Sequence, residues 1–156
     1  MTISTRGRYG LLAMVDVAAR MSDERVTLKS VAQRHGISEH YLEQLFSVLK
    51  KAGYIQSIRG AQGGYRFCGD PAAISAGDIL RTLEGSLYPV ACLAEDESVV
   101  CGSKTNKASG SCGNCVTRPI WEKIHDGFNE ILDSFTLADL VRDYQNMEPE
   151  GERHFG

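Results

Sequence analysis

Apolar residues recur at helical spacing from the start of the chain. Leu11, Leu12, Met14, Val15, Ala18 and Ala19 predict a helix over 5–21, with Thr5 as its cap. Thr27, or Ser30 as the alternative cap, opens a second helix over 28–35, and Gly36 supplies the left-handed residue that ends it. Ile37 plugs the turn. Ser38 then caps a third helix over 39–52, whose stripe is Tyr41, Leu42, Leu45, Phe46 and Leu49. After Gly53 the period changes to two. Residues 54–59 and 65–67 alternate as strands, joined by Gly60-Ala-Gln-Gly-Gly64. Asp70-Pro71 marks a turn, and Ser75 caps a helix over 76–83 that Gly85 closes.

The periodicity lapses over 86–116 and returns after Thr117, a candidate cap with Pro119 in the first turn. Ile120, Trp121, Ile124, Phe128, Ile131 and Leu132 form a narrow stripe. Phe135, Leu137, Leu140 and Val141 continue it past Ser134-Phe135-Thr136, where another short helix can begin. This late seam can pack on its own domain or on a second subunit. The second is the expectation, because helix-turn-helix proteins usually read paired half-sites as dimers.

Helix, glycine turn, helix and hairpin in this order predict a mainly α fold with a small β-hairpin. The expectation is a winged helix-turn-helix domain over 1–84, a cysteine-rich sensor loop over 85–116, a long dimerisation helix over 117–144 and a disordered tail over 145–156. No internal repeat is visible.

Composition changes this picture little. The chain is 42% hydrophobic and 24% charged, the balance of a soluble domain. No apolar run reaches the roughly 18 residues of a membrane helix, and the N-terminus lacks the order of a signal peptide. A cytoplasmic protein with reduced thiols is expected, with no membrane partner. Charge says more. Residues 1–67 carry ten Lys/Arg against five Asp/Glu, whereas residues 68–156 carry seven against fifteen. The basic half suits a polyanion such as double-stranded DNA. The second helix of a helix-turn-helix presents its N-terminal residues to the major groove, and a wing reaches a minor groove or phosphate. The candidate DNA contacts are therefore Arg8, Thr27, Ser38, Glu39, His40, Tyr41, Glu43, Gln44, Arg59 and Gly60. No nucleophile–base pair, phosphate loop or carboxylate dyad suggests an enzyme. The four histidines are scattered, and His125 reads as a surface residue.

Four of the five cysteines, Cys92, Cys101, Cys112 and Cys115, fall within 24 residues. Such thiolates can hold a 2Fe–2S cluster, a 4Fe–4S cluster or a tetrahedral zinc ion. Cys112 and Cys115 can alternatively form a disulfide switch. Spacing alone leaves cluster and zinc level. Cys68 stands apart and reads as a small buried hydrophobe.

Several stretches resemble the IscR/CymR-type family of bacterial winged-helix regulators. They are Ile3-Ser-Thr-Arg-Gly-Arg-Tyr-Gly10, Ser38-Glu-His-Tyr-Leu-Glu-Gln-Leu45, Ile58-Arg-Gly-Ala-Gln-Gly-Gly-Tyr65, Ile74-Ser-Ala-Gly-Asp-Ile79 and Ile131-Leu-Asp-Ser-Phe-Thr-Leu-Ala-Asp-Leu140. The resemblance spans most of residues 1–144. It implies a homodimeric repressor, with Arg59 entering a minor groove. Within that family, the members that sense iron–sulfur, nitric oxide or iron status carry three loop cysteines, matched here by Cys92, Cys101 and Cys115. The resemblance thus implies an iron–sulfur cluster, 2Fe–2S ahead of 4Fe–4S, with zinc as the alternative. Two departures stand out. The interval between Cys101 and Cys115 is long and carries the extra Cys112. Arg118 also stands where the regulator of iron–sulfur assembly has a histidine. Arg stays protonated and is no ordinary ligand, so Cys112 is the nearest soft donor for a fourth position. The family's cysteine-metabolism repressors lack the cluster and imply a rival reading, regulation through a complex with a cysteine-biosynthesis enzyme. A zinc-stabilised interaction module is a further alternative.

Overall fold

The computed structural model describes residues 2–23, 25–94 and 115–147. Among these residues lie six α-helices: α1 (Thr5–Ala19), α2 (Leu28–His35), α3 (Glu39–Lys51), α4 (Ala76–Glu84), α5 (Arg118–Ser134) and α6 (Leu137–Met147). Strands β1 (Ile55–Ile58) and β2 (Gly64–Phe67) lie between α3 and α4 as an antiparallel hairpin. This is a winged helix-turn-helix, as the sequence pattern predicts. Among the described residues no helix is long and apolar enough to cross a membrane.

Local chemistry accounts for most boundaries. The Thr27 hydroxyl accepts from the Ser30 amide at 3.1 Å, and the Ser38 hydroxyl accepts from the Tyr41 amide at 3.2 Å. Gly36, at φ 64°, closes α2 in the left-handed region. Ser75 and Asp78 form a reciprocal capping box on α4. The first cap differs from expectation. Ser4, with extended backbone, accepts from the Arg6 and Gly7 amides, while Thr5 is already helical.

The core is built from Met14 and Val17 of α1, Val31 of α2, and Leu42, Leu45, Phe46 and Leu49 of α3. Ile55, Ile79 and Leu137 complete it. Leu137 is fully buried, with Leu140 and Val141 packed beside the same core. These residues were expected to continue the α5 seam. Instead the chain turns sharply at Phe135, whose backbone is extended. The Ala76 amide bonds the Phe135 carbonyl at 2.8 Å, and the Leu137 amide bonds the Ile74 carbonyl at 2.7 Å. That corner sends α6 back onto α1.

The hairpin pairs Ile55 with Phe67 and Ile58 with Gly64. Val26, just before α2, bonds Tyr65 through both backbone groups at 2.7 and 2.8 Å, giving β2 a partner on its other edge. Cys68 is half-buried, with its Sγ 3.9 Å from the Arg66 carbonyl, and is no core residue. Phe67 takes the buried position and strand alternation turns Cys68 away.

Candidate DNA interface and cysteine segment

Burying Leu42, Leu45, Phe46 and Leu49 fixes the rotation of α3 and turns Glu39, His40, Glu43 and Gln44 outward with Ser38. His40 is 83% exposed, its Nδ1 lies 3.8 Å from Glu43 Oε2, and its Nε2 lies 3.4 Å from Gln44 Nε2. Three polar side chains thus form one exposed group on the first two turns. Tyr41 is half-buried instead, its ring meeting Tyr9 edge-on at 6.2 Å. Arg8 lies exposed on α1 with its guanidinium 5.9 Å from the Tyr9 ring centre. The Tyr9–Tyr41 contact therefore sets the first turns of α1 beside those of α3. The Thr27 hydroxyl is committed to capping α2.

Arg59 and Gly60 open the wing turn, both exposed, with Gly60 at φ 121°. Among the described residues Arg59 has no hydrogen-bond or ion-pair partner, so its guanidinium is open to an external anion. Arg25 donates to the Gln62 carbonyl and ties the wing tip to the approach to α2. The sequence pattern pointed to neither Arg25 nor Val26, because a single bridging residue has no periodicity. Glu84 was likewise missed. Its Oε1 accepts from the Ser4 amide, the Ser4 hydroxyl and the Gly7 amide at the head of α1.

The cysteine segment leaves α4 at Gly85. Leu87 is buried and Tyr88 stacks on His125 of α5 with ring centres 4.7 Å apart. Cys92 follows, half-buried in a 3-10 turn over Ala91–Leu93. Cys101 and Cys112 lie outside the described residues. Cys115 stands three residues ahead of α5 with its Sγ 3.2 Å from Thr117 Oγ1. That hydroxyl, the nearby backbone amides of Thr117 and Arg118, and the Arg118 charge hold the Cys115 thiol below its ordinary pKa. Thr117 makes no cap hydrogen bond because its backbone is already helical. Its hydroxyl instead meets Cys115 and accepts from Trp121 Nε1 at 3.3 Å. Arg118 donates to Glu122 Oε1 at 2.7 Å, along α5. Among the described residues no three His, Cys, Asp or Glu side chains come together as a metal site.

An exposed polar recognition helix, a basic wing and a companion helix carrying Arg8 define a winged-helix DNA-binding protein of the transcription-regulator class. The family model for Rrf2, an iron-dependent transcriptional regulator, matches residues 3–143, and the chain belongs to that family. It is 45% identical over 141 residues to the HTH-type transcriptional regulator CymR of Bacillus subtilis, covering 90% of each chain. It is 34% identical to the regulator IscR of Vibrio cholerae, covering 95% of this chain and 79% of the relative. The solved structure of B. subtilis CymR, described as the global cysteine regulator of that organism, superposes with a TM-score of 0.73 at 43% identity and covers 92% and 98% of the two chains. T. potens IscR superposes with a TM-score of 0.70 at 40% identity, covering 99% and 97%.

Proposed function

We propose that this regulator is a homodimer whose operator binding is controlled by an iron–sulfur cluster held in the cysteine segment. The observation that carries the cluster reading is the setting of Cys115. Its Sγ stands just ahead of α5, 3.2 Å from the Thr117 hydroxyl and beside the Arg118 charge, a polar setting that suits the thiolate donors such clusters take. Cys92 is a second unbonded thiol, half-buried at the other end of the segment. These two thiols suit the group, the family resemblance adds Cys101 as the third donor, and Cys112 is the candidate for the fourth position. A bound cluster would supply sensitivity to iron supply and redox state.

The chain's own residues do the rest. Ser38, Glu39, His40, Glu43 and Gln44 face the major groove, with Gln suited to adenine and Glu to cytosine. Arg8 and Arg59 neutralise phosphate or enter a minor groove. On α5, Ile120, Ile124 and Ile131 are exposed and form the seam proposed for a second copy. Cluster binding in the segment between α4 and α5 then biases the separation of two recognition helices, by as much as the two arrangements differ in affinity for DNA.

Anaerobic purification followed by an absorption spectrum and iron and sulfide assays tests the cluster. A visible chromophore lost in the Cys92→Ala, Cys101→Ala and Cys115→Ala variants is expected. A colourless wild type after reconstitution would sink the reading, and stoichiometric zinc would replace it with the zinc alternative. Identity of 45% to CymR favours a second reading, cysteine-responsive regulation through a complex with a cysteine-biosynthesis enzyme. Co-purification of metal-free chain with that enzyme would select it.

A further inference from the structure

The head of α1 presents a conflict. Arg6 and Arg8 sit in its first turn, with no acidic residue there, although a helix N-terminus already carries partial positive charge. The compensating carboxylate comes from far along the chain. Glu84, the last residue of α4, places Oε1 2.8 Å from the Gly7 amide, 3.2 Å from the Ser4 amide and 2.5 Å from the Ser4 hydroxyl. Space is reserved for it, since a methyl group at Gly7 would overlap that same oxygen. One turn on, a methyl group at Gly10 would overlap Leu83, so the end of α4 lies tight against α1 over two turns.

Two connections lead outward from this joint. On one side α1 continues to Arg8, over Tyr9, and from Tyr9 to Tyr41 on the recognition helix. On the other side, Glu84 is followed directly by Gly85, where the chain leaves α4 for the cysteine segment. We propose that Glu84 is a positioning residue for DNA binding: it caps α1 so that Arg8 and, through Tyr9 and Tyr41, the recognition helix are held in register with the backbone that leads into the cysteine segment. This rests on the DNA-interface reading above. It assigns the mechanical link between the segment and that interface to one carboxylate.

The test uses the full chain and a labelled duplex enriched by in vitro selection on the wild type. Glu84→Ala should weaken binding about three- to tenfold and reduce the salt slope of log affinity by about one, as Arg8→Ala should, because one phosphate contact loses its alignment. The double variant should bind no more weakly than Arg8→Ala alone. Glu84→Gln keeps an acceptor oxygen and should recover part of the affinity. Should Glu84→Ala fail to fold, Gly7→Ala evicts the carboxylate from the other side and should give the same loss. Wild-type affinity and slope in Glu84→Ala, or losses that add independently to those of Arg8→Ala, would overturn the proposal. Failure of the wild type to select any duplex would instead overturn the DNA-interface reading beneath it.

Discussion

Two of the polar networks that join helices among the described residues differ in burial. The first surrounds Asp16 of α1, a fully buried carboxylate. Arg34 of α2 donates to it from Nε and Nη2 at 2.8–3.2 Å, Arg20 pairs with Oδ1, and the Tyr144 hydroxyl of α6 lies at 3.4 Å. His35 Nε2 stands 3.3 Å from Oδ2 without good hydrogen-bond alignment. The second network surrounds Arg81 of α4, whose side chain is 35% exposed. It reaches Asn129 at 2.8 Å and Asp133 at 2.5 Å on α5, and Asp78 at 3.3 Å. Water can replace partners in the second network and hardly at all in the first. Helices α1, α2 and α6 are thus locked together from within. Helix α5 is fastened to α4 by partly exposed links that exchange at low cost.

The largest effect is expected at Asp16. Asp16→Ala leaves Arg34 and Arg20 facing an unfilled buried site and should cost about 3 kcal/mol or more in urea unfolding. Burial by itself would raise the Asp16 pKa. The contacts from His35 and Arg34 and the charges of Arg34 and Arg20 outweigh it, so the folded pKa lies below the unfolded value of 3.8. Its stabilisation is therefore present above that value and lost as pH falls through the folded pKa. Asp16→Asn should flatten the acid limb of the stability curve. An unchanged acid limb would mean that the network does not lock these helices. Next comes Leu137→Ala, which opens a cavity where α6 meets the core and should cost about 3 kcal/mol. Ile131→Ala on the exposed α5 face should change unfolding of the isolated subunit by about 0.5 kcal/mol or less. Similar losses at the two positions would erase the distinction between a core helix and an arm.

Periodicity in the sequence was enough to place α3, its buried stripe and the exposed Glu39, His40, Glu43 and Gln44, because one helix rotation buries the stripe and exposes the rest. It was not enough to place α6. Leu137, Leu140 and Val141 have the same spacing whether they face a partner or fold home, and the extended Phe135 with its two backbone bonds decides between them. The partnership of Asp16 with Arg34 and the cap that Glu84 gives α1 were invisible for a related reason. Residues 18 and 77 or more positions apart leave no local signature, and a lone Asp or Glu in an apolar stretch reads as surface until its partner is seen. Ser4 and Thr5 are both good caps, and only the backbone of Ser4 separates them. Of the cysteines, clustering marked the segment, but the tie between Cys115 and Thr117 needed coordinates.

A smaller effect is expected at Arg81. Arg81→Ala should cost about 1 kcal/mol or less in overall stability, since its partners remain solvated. It should also speed amide exchange in α5 while leaving α1 and α2 protected. Equal acceleration in all three helices would show that the two networks are one cooperative unit.

The smallest effect concerns reactivity and leaves stability untouched. Cys115 stands three residues ahead of α5, with the Thr117 hydroxyl at 3.2 Å and a thiol pKa below the ordinary value. In metal-free, reduced protein near pH 7 it should be alkylated a few-fold faster than Cys68, whose Sγ meets only the Arg66 carbonyl among the described residues. Peptide mapping after brief iodoacetamide treatment reads each cysteine separately. Thr117→Val removes the hydroxyl and should bring the Cys115 rate down towards that of Cys68. Loss of the helix position alone predicts no change, since α5 persists. A Cys115 rate that ignores Thr117 would assign the lowered pKa to the amides and Arg118, and would leave the threonine as the anchor of Trp121.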